Sequence, residues 1–278
     1  MSANGHDVGQ QGEKAFAKDT FIKITGKIKM LRPLLSAQHV VGLPLREISK
    51  MKFQRMSLET CENATGIVVV IDVLRAFSTA AYSFASGARS IILVSNVEDA
   101  FLLKKQFSHA FLMGEVNGLP IKGFDYGNSP TELVRQNLVG QQLIQRTSAG
   151  TQGITRSVNA HTLLASSFCC AKATAEFITQ LPDENVTFVI TGKRPNGWGD
   201  EDDACADYIE NLIMGKNPDT ETYIQRVRES TAGKIFINES EPDFPASDLE
   251  YCLAIDKFNF VMQVERENGL YAMKPVTV

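Results

Sequence analysis

The sequence predicts an α/β fold: a mainly parallel sheet with helices on both faces and a small antiparallel element at the C-terminus. Three observations carry this. From residue 66 onward, short β-branched runs alternate with helical stretches. The run Ile67-Val-Val-Val-Ile71 is apolar at every position, as a strand covered on both faces requires. Near the end, Asn268-Gly269 separates two strand-like segments, which is a hairpin signal.

The elements follow in chain order. After the Ile67–Ile71 strand, Ala76 to Ser86 is Ala-rich, carries Phe77, Tyr82 and Phe84, and stops at Gly87, so it reads as a helix with a glycine cap. Further strands are expected at Ser90–Val94, Phe111–Met113, Gln142–Thr147, Thr162–Ala165 and Val186–Thr191. Helices are expected at Val97–Gln106, Pro130–Asn137, Gly153–Ala160, Ala171–Gln180, Asp203–Met214 and Thr220–Ser230. Strands alternating with crossover helices imply parallel pairing. Asn259–Glu265 and Leu270–Val276 flank the turn and form the antiparallel element.

Composition narrows the class. The chain has 278 residues, 44% hydrophobic and 22% charged, which is globular and long enough to bury a full core. Cys61, Cys169, Cys170, Cys205 and Cys252 are an odd set without CxxC spacing, which argues against a disulfide framework or zinc knuckle. There is no apolar run of about 18 residues and no signal-peptide pattern, so the expected location is cytoplasmic and no membrane contact is expected. Charge divides the chain: residues 1–56 hold 10 Lys and Arg against 4 Asp and Glu, residues 57–278 hold 18 against 28. The sequence therefore reads as a basic N-terminal extension, 1–56, and an α/β domain, 57–278. Lacking aromatic interleaving, the extension reads as a solvated appendage, and no nucleic-acid partner is expected.

Ligands of open α/β sheets bind beyond the carboxyl ends of the strands, so polar residues directly after apolar runs are the first candidates. Asp72 follows Ile71 at once and is a helix cap, a metal ligand or an acid/base group; Arg75 could pair with it or hold an anion. Two loops rich in glycine and hydroxyls lead into helices: Gly123-Phe-Asp-Tyr-Gly-Asn-Ser-Pro130 and Thr147-Ser-Ala-Gly-Thr-Gln-Gly153. Backbone N–H groups at such starts favour an oxyanion. Asp200-Glu-Asp-Asp203 puts four carboxylates at a helix start, more than the helix dipole explains. A hard divalent cation would relieve their repulsion, and magnesium characteristically takes one or two carboxylates plus phosphate oxygens. Glu115 is a further candidate ligand.

Other patterns are weaker. Gly192-Lys-Arg-Pro-Asn-Gly-Trp-Gly199 lacks both the GxGxxG order and the Gly-Lys-Ser/Thr ending of a P-loop, leaving Lys193 and Arg194 as anion contacts. Cys169, Cys170 and Cys205 have no histidine nearby in sequence and read as buried small apolar residues.

In order along the chain, Val70-Ile-Asp-Val-Leu-Arg-Ala76, Gly114-Glu115, Gly118-Leu-Pro-Ile-Lys-Gly-Phe-Asp-Tyr-Gly-Asn-Ser-Pro130, Thr147 to Thr151, and Glu201-Asp202 with Cys205-Ala206 resemble the 2-phosphosulfolactate phosphatase family of coenzyme M biosynthesis. The resemblance spans about residues 66 to 214 and, weakly, the tail. It implies a magnesium-dependent acid phosphatase that hydrolyses 2-phosphosulfolactate to sulfolactate and phosphate. The chain departs from the family pattern at Val116, where Gly-Glu-Arg is usual, at Ser148-Ala149 within the usual Thr-Thr-Asn-Gly-Thr, and at Cys170, usually Asn.

The expectation is thus hydrolysis of a small acidic phosphomonoester with Mg²⁺. Asp72, Arg75, Glu201 and Asp202 are the expected catalytic residues; Asp72, Glu115, Glu201 and Asp202 the expected metal ligands; Gly127, Asn128, Ser129, Thr147, Ser148, Gly150 and Thr151 the expected substrate contacts. The alternative is a catalytically silent anion-binding or regulatory module on the same scaffold. A homodimer is the expected assembly, though no sequence feature dictates it.

Overall fold

A computed structural model of the chain describes residues 50–193, 199–237 and 241–278. The first 49 residues of the basic extension, and Arg194, lie outside the described residues. Ten strands and nine helices are found among the described ones: β1 (Lys52–Ser57), β2 (Gly66–Ile71), α1 (Ala76–Ala85), β3 (Ser90–Val94), α2 (Val97–Gln106), β4 (Phe111–Val116), β5 (Leu119–Pro120), α3 (Pro130–Leu133), β6 (Gln142–Arg146), α4 (Gly150–Arg156), β7 (Ala160–Ser166), α5 (Ala171–Thr179), β8 (Asn185–Ile190), α6 (Asp200–Ile213), α7 (Thr220–Glu229), α8 (Thr231–Ile237), α9 (Ala246–Cys252), β9 (Phe260–Glu267) and β10 (Leu270–Thr277). The class is α/β with a mostly parallel sheet, as the alternation predicts.

The strands form one sheet in the order β1-β8-β2-β7-β9-β10-β3-β6-β4-β5. Within it, β1-β8-β2-β7 are mutually parallel, and so are β3-β6-β4. The C-terminal hairpin predicted from Asn268-Gly269 is present, but it lies in the middle of the sheet, joining the two parallel blocks. Its three successive antiparallel pairings make the blocks run in opposite directions. In a flat sheet the carboxyl ends of β2 and β6 would lie at opposite edges, five strand spacings or roughly 24 Å apart sideways. Instead, a Cβ placed on Gly150, just past β6, would stand 2.9 Å from Asp72 Oδ2. The sheet therefore curls, bringing the carboxyl ends of both blocks together.

The curl has an inside. Val68 and Val70 of β2, Ile91 and Leu93 of β3, Leu143, Met262 and Met273 pack with Phe77, Tyr82 and Phe84 of α1. All nine residues from Ala76 to Phe84 are buried, the expected state of a helix without a polar face. The intervening residues Ile67, Val69 and Ile71 pack into a second cluster with Phe188 and residues of α5 and α6. On the other block, Ile92, Val94 and Ile144 meet Ala100 and Leu103 of α2. Period-two alternation of apolar side chains on both faces thus gives β2 its unbroken apolar run.

Several boundaries move for tertiary reasons. The strand β1, which the sequence reading did not include, pairs with β8. The helix expected to reach Asn137 ends at Leu133, because the following backbone turns to donate Leu138 N–H and Gly140 N–H to the carbonyls of Ser86 and Gly87. The next helix starts at Gly150 instead of Gly153 and stops at Arg156, with β7 beginning four residues later. The short helices α8 and α9 have no counterpart in the sequence reading.

Candidate functional site

Asp72 occupies the turn between β2 and α1, where its Oδ1 accepts the Ala76 N–H at 2.9 Å and its own carbonyl accepts the Phe77 N–H at 3.1 Å. It is 6% exposed. Burial pushes its carboxyl up to about 6, against the N–H groups of Ala76 and Gly150 and helped by the charge of Glu115.

The acidic run opening α6 divides by helix geometry. Residues 200, 203, 207 and 210 recur on one stripe and face two arginines. Arg226 of α7 reaches Asp200 at 2.6 Å and Asp207 at 2.7 Å; Arg55 of β1 reaches Asp203 at 3.2 Å, Asp207 at 2.6 Å and Glu210 at 2.8 Å. Glu201 and Asp202 fall on the inward side and are buried. Two of the four carboxylates are therefore neutralised by protein cations, and two turn toward the end of β2.

Asp202 stitches three chain segments together. Its Oδ1 accepts the Val73 N–H at 2.8 Å; its Oδ2 accepts the Gly192 N–H at 2.8 Å and the Thr191 hydroxyl at 3.2 Å. The Thr191 hydroxyl also favours the charged form of Asp72. A Cβ on Gly192 would meet Glu201 Oε1 at 2.9 Å and Asp202 Oδ2 at 3.1 Å, so both carboxylates close on this glycine. Burial, with the charges of Asp72 and Asp200 adding to it, raises the Glu201 carboxyl to about 7. Burial also lifts Asp202 well above the usual carboxylate range, with the charges of Glu201 and Asp72 adding to it. Among the described residues none of these three carboxylates has an ion-pair partner.

The remaining candidates are placed differently. Glu115 Oε1 accepts the Ser148 N–H; its Oε2 accepts the Gly118 N–H at 2.6 Å and the Ser148 hydroxyl at 3.0 Å, so it fastens the loop after β6 to the turn after β4. Thr147 and Thr151 bond reciprocally, each hydroxyl accepting the other's N–H, at 2.9 and 3.0 Å. Gly150 N–H faces Asp72. Ser129 caps α3 and gives its hydroxyl to Asp248 at 2.7 Å. Gly127 N–H is held by Glu132 at 2.8 Å. Asn128 is 7% exposed and its Oδ1 has no partner. Arg75 lies in a buried ion pair with Asp248, 2.7 Å away. Asp72, Glu201, Asp202 and Gly150 are thus brought together, Glu115 and Ser148 adjoin them, and the Gly127–Ser129 loop is linked through Asp248.

The donor set suits a hard cation: carboxylates raised chiefly by burial and further by mutual repulsion, with Glu201 Oε2 lacking a partner among the described residues. Among the described residues no group of three or more His, Cys, Asp or Glu side chains is spaced to hold a metal unaided. Thr191, Asp248 and Ser230, which favours the charged form of Glu201, were not among the sequence candidates. Thr191 had a signal, a hydroxyl directly after the apolar run of β8.

Comparison with known proteins identifies the family. The family model described as 2-phosphosulpholactate phosphatase matches residues 54–267. A protein of Bacillus subtilis named "Probable 2-phosphosulfolactate phosphatase" is 35% identical over 76% of this chain and 92% of its own length. Relatives of the same name from Carboxydothermus hydrogenoformans and Thermotoga petrophila are 34% and 31% identical, over 73% and 74% of this chain and 87% and 91% of theirs. The match begins inside β1 and ends with β9, taking in both parallel blocks and all three inward carboxylates. The chain belongs to the 2-phosphosulfolactate phosphatase family.

Proposed function

We propose that the protein hydrolyses a small acidic phosphomonoester with magnesium, and that the substrate is 2-phosphosulfolactate, cleaved to sulfolactate and phosphate. The observation that carries this reading is the meeting of Asp72, Glu201 and Asp202 in a buried site where, among the described residues, no ion pair neutralises them. The names of the relatives supply the substrate.

Attack on an anionic ester is slow until charge developing on the phosphoryl oxygens is neutralised. Asp72 and Glu201 would hold the magnesium, whose chemistry when bound is to neutralise that charge. The chain does the rest. Asp202 holds the β2–α1 and β8–α6 turns at fixed separation through Val73 and Gly192. A carboxylate of this cluster that does not hold the ion is suited to take the proton of the attacking water, since burial lifts the whole group, and the leaving alcohol oxygen takes its proton from solvent. Asn128, Ser148 and the backbone of the loop at Gly150 line the approach of the anion. No nucleic-acid partner enters this reading, and no helix among the described residues is long and apolar enough to cross a membrane.

The test is phosphate release by purified protein with magnesium and 2-phosphosulfolactate, alongside a panel of small acidic phosphoesters. Release should require magnesium and vanish in Asp72→Asn. Release that survives both chelation and this substitution rejects the assignment. Binding of phosphate without turnover of any panel member supports the silent-module alternative.

A further inference from the structure

Arg75 opens α1 three residues beyond Asp72 and is the nearest arginine in sequence to the carboxylate site, yet its guanidinium is committed elsewhere. Nη1 donates to Asp248 Oδ2 at 2.7 Å and to the Asp243 carbonyl at 2.8 Å; Nη2 donates to the Gly118 carbonyl at 3.1 Å. The rings of Phe236 and Phe244 stand 5.3 and 4.8 Å from its central carbon. The side chains of Arg75 and Asp248 are 5% and 0% exposed.

Asp248 is equally committed. Its second oxygen accepts the Ser129 hydroxyl at 2.7 Å and the Thr131 N–H at 3.0 Å. One buried ion pair therefore joins the start of α1, the β4–β5 turn, the loop entering α3 and α9. The β4–β5 turn continues the chain of contacts: Asn117 N–H donates to Ser148 Oγ at 2.8 Å and Gly118 N–H to Glu115 at 2.6 Å. Gly118 sits at φ +83, and a Cβ there would be 2.5 Å from Phe244, so the turn is pressed directly against the pair's aromatic cover. Both loops that carry the proposed anion contacts, Gly127–Ser129 and Thr147–Thr151, hang from Arg75 and Asp248.

We propose that Arg75 and Asp248 are a positioning pair. Arg75 does not touch the phosphoester; through Asp248 and the Gly118 turn it sets the separation of the two loops that receive the anion. This rests on the phosphoester reading of the site. The argument is one of geometry: the planar fork of arginine makes three directed bonds here, which the point charge of lysine cannot reproduce, whereas lysine serves well as a plain phosphate ligand.

A double-mutant cycle on the full chain decides it, with magnesium present and inorganic phosphate as the binding probe. Arg75→Met, Arg75→Lys and Asp248→Leu should each weaken phosphate about tenfold, and should raise KM for the phosphoester equally with kcat held within about threefold. The double variant Arg75→Met/Asp248→Leu should be no weaker than either single one, because the two residues act as a unit. It also guards against misfolding, since replacing both members of a buried pair with apolar groups is better tolerated than removing one. Amide exchange at Thr131 should quicken in Arg75→Lys. A purely structural pair would lower the active fraction, hence kcat, and leave KM and phosphate affinity alone; that result overturns the proposal. So does wild-type phosphate affinity in Arg75→Lys, or losses that multiply to about a hundredfold in the double variant. Wild-type protein that binds phosphate but turns over no phosphoester would overturn the catalytic reading instead, and the cycle would still report on the pair.

Discussion

Glu201 makes the protein's stability depend on pH in a direction opposite to that of most carboxylates. Its carboxyl is raised from 4.5 to about 7, chiefly by burial. A group raised in this way favours the folded state while protonated, so its contribution is intact below pH 4.5 and is lost as pH rises through about 7. The difference is worth about 3 kcal/mol. In chelator, wild-type protein should therefore melt progressively lower between pH 5 and 8. Glu201→Gln keeps the shape and removes the ionisation. At pH 8 without metal it should melt higher than wild type by roughly 6–12 °C, the shift that about 3 kcal/mol produces in a domain of this size. At pH 4.5 the two should coincide within a few degrees. Magnesium should raise the wild-type melting temperature at pH 8 much more than at pH 5, and should do little for the variant. Thermal denaturation across this grid is the assay. Parallel pH profiles for the two proteins, or a wild type more stable than the variant at pH 8 in chelator, would refute the picture of an uncompensated buried carboxylate.

Two other outcomes follow from the same geometry. Arg226→Met should destabilise the fold by about 1–2 kcal/mol in urea titrations, because Asp200, Asp203 and Asp207 lose a shared cation; high salt should reduce the difference. Thr191→Val, which removes the hydroxyl donated to Asp202, should lower kcat about tenfold with KM little changed, since it touches the carboxylates and not the anion loops; an altered KM with normal kcat in steady-state assays would contradict this.

What the sequence discloses follows the range of the interactions involved. The strand β2 is legible because every residue from Gly66 to Ile71 is buried and the run is unbroken, and Asp72 is legible because it directly follows. The acidic run at 200–203 is visible as a surplus of charge, but its division into a clamped outer stripe and a free inner pair depends on Arg55, far off in the chain on β1. Arg75 is conspicuous as a cation near Asp72; its partner is 173 residues away on a seven-residue helix too short to show a periodicity. The hairpin is written locally in Asn268-Gly269, whereas its neighbours β7 and β3 are chosen only when the sheet assembles.

The central position of that hairpin orders the events of folding. Until β9 and β10 leave the ribosome, β7 and β3 are open edges, each an apolar strand with an unpaired ladder. The carboxylates of β2 and α6 share one block, but the approach of the second block, with the Gly150 turn, must wait for these two strands. A nascent or clipped chain lacking the last two strands is two sticky half-sheets, a natural client for chaperones and proteases.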